Sequence, residues 1–336
     1  MKIIYIVLNY NEHLPQYSHE TNSLDLVKLS SCMSDKSEYE IKYINVDLLA
    51  NSLLANDIEV DGVKFIFCSS QIQEYKSAII DVAFEVERRG GELIPSLDFY
   101  VAHENKYFQE LHKARVGIET PSSELLTCSL SESLMDKGVV KPSYGFGSKG
   151  ISLQNNNVNI IKSCSNLMTP YINIERGFFA TARNVAKFLK YKGLYPSRFG
   201  KVVVQDFIPE LKHDWKVLVF GNKAFALKRF VRNGDFRASG SGKFDFDEIA
   251  SEELIKFSIS IREKLNVPFV SLDVAEGKNK FSIIEYQAVH FGLVTCYKAK
   301  HYYQVDGESF SLIPLTSNVV VEDVFVDSVI KFLDEK

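Results

Sequence analysis

Continuous apolar runs open the chain. Residues 3–8 and 63–68 are strand-length stretches without alternation, the pattern of strands covered on both faces of a parallel sheet. Between the second run and a third at 92–95 lies EYKSAIIDVAFEVERRGG, where Ile79, Val82, Ala83 and Val86 recur at helical spacing and Gly90 supplies a C-terminal cap. Strand, helix, strand in this order predicts a small open sheet with a right-handed crossover. HENKYFQELHKARVG follows, with a helical stripe of Tyr107, Phe108, Leu111 and the stem of Arg115 that stops at Gly117, with Pro121 beyond.

From Val139 the period changes. VVKPS and ISLQ read as strands on either side of a glycine stretch, 180–190 as a helix, and KVVVQDFIP as a β-branched strand ending at Pro209. WKVLVF and KAFALKRF alternate around Gly221 and Asn222, a hairpin turn pair. EELIKFSISIREKLNV sets Leu254, Phe257, Ile261 and Leu265 on one helical face, and FVSLDVA with KFSIIEYQA makes a final hairpin. The predicted class is α/β and α+β: an α/β domain over 1–102, then two α+β lobes over 103–205 and 206–336, each with an antiparallel sheet.

Composition narrows the function classes. The 336 residues are 46% hydrophobic and 24% charged with net charge −4, so no overall basic field draws the chain to nucleic acid or an anionic membrane, and any anion site must be local. Cys32, Cys68, Cys128, Cys164 and Cys296 are scattered without a C-x-x-C pair, which speaks against a disulfide framework or zinc site and for a reducing compartment. The N-terminal apolar run is too short for a secretion signal, and no run approaches the ~20 residues of a membrane span. These features predict a cytoplasmic protein with no nucleic-acid partner and no membrane insertion.

Candidate chemistry centres on VVKPSYGFGSKGI, where Gly145, Gly147 and Gly150 spell G-x-G-x-x-G. No helix follows, against a dinucleotide fold; Ile151 stands where a Walker lysine is required, against a P-loop; the H-R-D and D-F-G stretches of protein kinases are missing. A glycine flap in a hairpin, closing on phosphates with its backbone N–H groups, survives. Lys141 on the entering strand and Lys106 at the start of a helix are its candidate cations. Asp273 and Glu285 interrupt the buried runs of the last hairpin, where a carboxylate needs a cationic partner: a metal, or a Lys or Arg in a structural ion pair. A turn centred on Lys278 sets Asp273 opposite Ile283 and Glu285 opposite Ser271, so the two acids are diagonal neighbours about 7–8 Å apart, with Gln287 on the same face.

Taken in order, HENK, VVKPSYGFGSKGI, VVQDFIP, HDWKVLVFGNKAFALKRF, GDFRASGSG, SLDVAEG and IIEYQ resemble the ATP-grasp superfamily over nearly the whole chain. The resemblance implies two α+β lobes behind an N-terminal pre-ATP-grasp domain. It implies ATP as the nucleotide, with Lys106 and Lys141 on its phosphates, Tyr144, Gly145, Phe146, Gly147, Ser148 and Lys149 as the flap, Gln205, Asp206, Phe207 and Ile208 around adenine, and Asp214 on the ribose. Asp273, Glu285 and Gln287 match the ligands of two magnesium ions, for which manganese can substitute. Arg229 matches the arginine near the transferred phosphoryl group, with Arg237 a helper near the acceptor. Gln287, Lys216 and Ser239 stand where the family commonly has Asn, Arg and Asn. The last difference weakens the case for glutamate as substrate, as in the ribosomal-protein glutamate ligases that this region otherwise resembles, and DFRASGSG is more similar to ATP-grasp proteins of bacterial surface-polysaccharide assembly. The implied reaction is ADP-forming ligation of a small carboxylate to an amine through an acylphosphate. A small-molecule kinase and a non-catalytic ATP-binding module are the alternatives, and association of copies of the chain is left open.

Overall fold

The computed structural model describes residues 2–15, 23–128, 133–145, 147–172, 178–191, 194, 196–232, 234–238, 240–277 and 280–335, with backbone alone at 178–180. Phe146, Lys278 and Ser239, named above, lie outside the described residues. The chain divides into two compact units: one of residues 1–103, 114–118 and 211–336, the other of 104–113 and 119–210.

The first unit begins with β1 (Lys2–Leu8), α1 (Leu26–Lys36), β2 (Tyr39–Asn45), α2 (Val46–Ala55), β3 (Lys64–Phe67), α3 (Gln73–Arg88), β4 (Glu92–Leu93) and α4 (Leu97–Ala102). Its four strands are parallel in the order β2-β1-β3-β4. The apolar runs of β1 and β3 are buried, as continuous patterning requires. Helix α3 buries Ile79, Ala83 and Val86 and ends at Arg88, with Arg89 as its C-cap, after which Gly90 takes a φ of 89°. The segment α1-β2-α2 escapes the sequence pattern because β2 has no buried position and so carries no apolar run.

The second unit holds residues 106–113 of α5 (Lys106–Arg115), then β5 (Ser123–Cys128), β6 (Gly138–Pro142), β7 (Ser152–Gln154), α6 (Asn157–Leu167), β8 (Thr169–Pro170), α7 (Phe178–Lys190) and β9 (Arg198–Gln205). Its sheet is antiparallel in the order β5-β9-β6-β7, with β8 on β9. Leu126, Val140, Val202 and Val204 pack one sheet face against Ile160 and Cys164 of α6. The apolar stripe expected on α5 is corrected: Leu111 is 51% exposed, and the buried positions are Lys106, Gln109, His112 and Lys113. Polar groups can line a buried helix face when they satisfy one another, and Lys113 does so by an ion pair of 2.8 Å with Glu110. Strand β9 stops at Gln205 rather than Pro209, its last ladder position being followed by a bond from Asp206 N–H to the Ser122 carbonyl.

The first unit resumes with β10 (His213–Phe220), β11 (Lys223–Phe230), β12 (Phe244–Asp245), α8 (Glu252–Leu265), β13 (Phe269–Glu276), β14 (Phe281–Gln287), α9 (Val294–Tyr297), β15 (His301–Asp306), β16 (Ser309–Pro314) and α10 (Val321–Asp334). The antiparallel order is β14-β13-β10-β11-β15-β16, with β12 on β11. The hairpin β13-β14 is therefore not the last; β16 has only exposed and half-buried positions, which leaves no buried apolar run to read. Gly221 and Asn222 do form the β10-β11 turn, Phe220 facing Lys223. Helix α10 returns to the parallel sheet, where Lys36 meets Asp323 and Asp327 and the Glu322 carboxylate accepts from Asp25 N–H at 3.0 Å.

Phe269, at 1% exposure, sets its ring 4.6 Å from Phe325 and near Phe220 and Phe291. Phe269→Ala is expected to lower unfolding free energy by about 3–5 kcal/mol through loss of transfer energy and the cavity left behind. Urea denaturation measures this; a change below about 1 kcal/mol would show that the cluster does not anchor α10.

Candidate active site

In the second unit the pleat puts Ser123, Gln205, Val139 and Lys141 on one sheet face, since Gln205 pairs with both Ser123 and Val139 and Lys141 is two residues beyond Val139. Lys141 is 9% exposed, and its ammonium donates to the Gln205 side-chain oxygen at 2.6 Å. The amide nitrogen of Gln205 donates to Glu110 at 3.2 Å and to the Ser123 hydroxyl at 3.1 Å, and Glu110 carries the Lys113 ion pair. A buried polar chain thus runs from α5 to Lys141.

The HENK stretch has a mechanical role. Asn105 Oδ1 accepts from Phe108 N–H at 3.3 Å, capping α5, and from the Ser143 hydroxyl at 2.8 Å. Lys106 N–H donates to the Ser143 carbonyl at 2.9 Å, and the Lys106 ammonium donates to the Gly145 carbonyl at 2.7 Å. The base of the glycine stretch is clasped to the start of the helix. Gly145 and Gly147 have φ of 111° and 65°, with nothing within 4 Å of where a Cβ would stand, so glycine serves backbone conformation there and not space. Lys149 is exposed, Ser148 half-buried, and Lys201 lies over the Tyr144 ring at 5.6 Å. Phe207 and Ile208 are half-buried beyond β9, and Lys137 sits over the Phe207 ring at 5.2 Å.

In the first unit, register builds a second polar face. Asp214 of β10 stands opposite Arg229 of β11; Lys216 stands opposite Asp273 of β13; Asp273 stands opposite Glu285 of β14; and Ser271 stands opposite Gln287. The diagonal expected for Asp273 and Glu285 is corrected to a direct pair: the turn sets Val274, not Asp273, opposite Ile283, and a β-bulge between Asp273 and Val274 shifts the register by one residue more. Arg229, 7% exposed along its side chain, gives two hydrogen bonds to Asp214 at 2.7 and 2.8 Å and meets Asp273 at 2.8 Å. Lys216 lies 3.6 Å from Asp273 and donates to Ser271 at 2.9 Å. Gln287 donates to Glu285 at 3.1 Å. Burial opposes the charge on Asp273, but Arg229 and Lys216 outweigh it and hold the carboxyl below its ordinary range; at Asp214 burial prevails over Arg229 and the carboxyl is raised. Arg229 is likewise opposed by burial, and Asp273 and Asp214 raise it. Arg237 is held by its near neighbour Asp235 at 2.6 Å.

Among the described residues no three His, Cys, Asp or Glu side chains are grouped to hold a metal. Two facing carboxylates and the Gln287 amide nonetheless fit the hard oxygen donors magnesium takes, with remaining positions left to water or phosphate. Sequence reasoning missed Glu110 and Lys113, whose burial the apolar stripe expected on α5 did not indicate, and the ion-pair part of Lys216. It also missed a buried group where Ser69 hydrogen-bonds His103 at 2.7 Å, Lys76 donates to the His103 carbonyl at 2.8 Å, and the His103 and His290 rings lie 5.6 Å apart. All five cysteines are free, and among the described residues no helix is long and apolar enough to cross a membrane.

The arrangement of the elements is that of the ATP-grasp fold. A D-cycloserine synthetase, DcsG, matches at a TM-score of 0.54 and 11% identity over 99% of this chain and 100% of its own. The D-alanine–D-alanine ligase of Bacillus anthracis complexed with ATP matches at 0.50 and 14%, over 100% and 98%. A RimK domain ATP-grasp protein of Sphaerobacter thermophilus matches at 0.50 and 11%, over 98% and 99%. No protein-family model matches the sequence, and no curated protein matches it.

Burial pushes His290 down to about 4 from 6.5, and His103 also falls, through burial, His290 and Lys76. A histidine depressed in the folded state binds its proton first in the unfolded chain, so its stabilising contribution is lost as pH falls from about 6.5 towards 4. For His290 that loss is about 3 kcal/mol. Urea titrations at pH 7.5 and 4.5 are expected to show the drop, and His290→Gln to reduce it; an equal drop in the variant would assign acid sensitivity elsewhere.

Proposed function

We propose that the protein is an ATP-dependent ligase that joins a small carboxylate to an amine and releases ADP and phosphate. The observation that carries this reading is the gathering of Arg229, Lys216, Asp273 and Glu285 on one polar sheet face, in a chain of ATP-grasp fold. Lys106, Lys141 and the flap N–H groups bind the polyphosphate, Gln205 to Ile208 the adenine, and Asp214 the ribose or, through its two bonds, the orientation of Arg229. An oxygen of the substrate carboxylate attacks the γ-phosphorus while the bond to the bridging oxygen breaks, giving ADP and an acylphosphate. The amine nitrogen then attacks the acyl carbon; the C–O bond to phosphate breaks, and the amine proton passes to water. Arg229 offsets charge on the phosphoryl oxygens and then on the tetrahedral oxygen, with Arg237 towards the acceptor. Asp273, Glu285 and Gln287 would hold magnesium, which when bound neutralises phosphate charge. An amino acid as the carboxylate, and modification of a surface polysaccharide or peptide as the setting, rest on the likeness of the DFRASGSG stretch.

A second reading is favoured by the pairing of Asp273 with Arg229 and Lys216: a nucleotide-binding module whose acids serve structure. Glu285→Gln separates the two. Ligation predicts a folded variant with ADP release down about 100- to 1000-fold, in assays of amino acids and small carboxylates with amine acceptors. A destabilised variant with unchanged rate per folded molecule favours structure, and a phosphorylated product without free phosphate favours a kinase.

Lys141→Met should weaken ATP binding about 10- to 100-fold, the scale of one charge-assisted hydrogen bond, with the fold retained. Calorimetric titration showing wild-type affinity would remove Lys141 from the phosphate site.

A further inference from the structure

Helix α5 buries charge where a helix ordinarily buries hydrocarbon. The Lys113 side chain is fully buried, and that of Glu110, its ion-pair partner one turn earlier, nearly so. Such a pair is a poor means of holding a helix in place: the cost of taking two ions out of water rivals their attraction, and apolar side chains of similar volume do as well or better. The pair has further contacts within the same unit. Glu110 Oε1, which accepts from the Lys113 ammonium at 2.8 Å, also accepts from the Gln205 amide at 3.2 Å, and Glu110 Oε2 accepts from the Ser123 hydroxyl at 3.2 Å. The Ser123 oxygen in turn accepts from the Gln205 amide at 3.1 Å.

These contacts fix which way the amide points. A side-chain amide presents an oxygen on one side and two N–H groups on the other, and a half-turn exchanges them. At Gln205 a half-turn would set the amide oxygen against the Glu110 carboxylate and the NH2 group against the Lys141 ammonium, acceptor facing acceptor and donor facing donor. The carboxylate thus compels the oxygen to face Lys141, which donates to it at 2.6 Å. Both amide N–H groups are engaged, so the Gln205 side chain has no donor to offer a base. We infer that Glu110, with Ser123, is a positioning residue for Lys141: through the Gln205 amide it holds the long, flexible lysine stem in one place before phosphate arrives, and Lys113 balances the charge this requires. An ammonium held in advance loses less freedom on binding than one that must first be ordered. The inference rests on the reading of Lys141 as a phosphate contact.

A double-mutant cycle in the full-length protein tests this. Glu110→Met with Lys113→Met removes both ions at nearly constant volume, and urea denaturation should show the fold retained. Calorimetric titration should find ATP affinity lower by about 2- to 10-fold, the scale of one neutral hydrogen bond. In a Lys141→Met background the same pair of changes should shift affinity by less than about twofold, since the ammonium they position is gone. Ser123→Ala, which removes no ion, should follow the same pattern and decides the matter should the Met pair not fold. Acetylation by an amine-reactive reagent without nucleotide, read by mass spectrometry, should modify Lys141 faster in both variants and the exposed Lys137 at the wild-type rate. Equal losses of affinity with and without Lys141 would assign Glu110 and Ser123 to structure alone and overturn the inference. So would unchanged affinity and unchanged acetylation in folded variants. Faster acetylation of Lys141 in variants of a protein whose wild type does not bind ATP would support the positioning role and remove the nucleotide reading instead.

Discussion

A guanidinium taken out of water loses several kcal/mol of solvation unless carboxylates replace it, and Arg229 has that constraint in the middle of a seven-stranded sheet. Asp214 meets it from the opposing position on β10 and Asp273 from the strand beyond. Satisfying Arg229 therefore fixes β11, β10 and β13 side by side in one register. Lys216 then falls beside Asp273 without further specification, while Glu285 reaches it through the register of β14. The same face turns apolar along the strands, through Leu218 to Phe220 and Phe269 beneath α10. The opposite face, with Val217, Leu272 and Val274 buried, carries α8, whose Phe257 ring meets Phe281. One sheet face is thus core at one end and chemistry at the other.

The charges on that face do not cancel. Asp214, Asp273 and Glu285 stand against Arg229 and Lys216, an excess of one negative charge. A polyphosphate and a divalent cation arriving together would add anions for the two cations and a cation for the acids. Each existing pair would be exchanged and none left uncompensated, which is the condition under which buried charges are tolerable. In the second unit the corresponding economy is the relay through Gln205: a neutral amide accepts from Lys141 while passing its own donors to Glu110 and Ser123.

Patterns that report burial were legible in the sequence. The β1 and β3 runs express strands covered on both faces, the α3 and α8 stripes one face against a core, and the Gly221 pair a tight turn. What stayed hidden was structure whose burial is polar or partial. Helix α5 presents Gln109, His112 and Lys113 inward and so reads as surface, and β2 and β16 offer no run at all. For the candidate site, Asp273 and Glu285 could be picked out because charge inside an apolar run is conspicuous, and Arg229 through the likeness of its motif to ATP-grasp sequences. Their partners could not, since pairing depends on register, and register depends on a bulge that leaves no mark in composition.

That bulge carries a question of parity. Across the turn-proximal rungs, Val274 faces Ile283 and Ala275 faces Ser282; continued unbroken, the ladder would bring Glu285 opposite Leu272, into the hydrophobic layer. The extra residue, Ile284, turns the strand over by one pleat and returns Glu285 and Gln287 to the side of Asp273. The polarity of the whole face thus hangs on a residue whose own side chain does none of the chemistry. A one-residue deletion at Ile284 would exchange inside for outside along the rest of β14, while every acidic and amide residue of the face survived in the sequence.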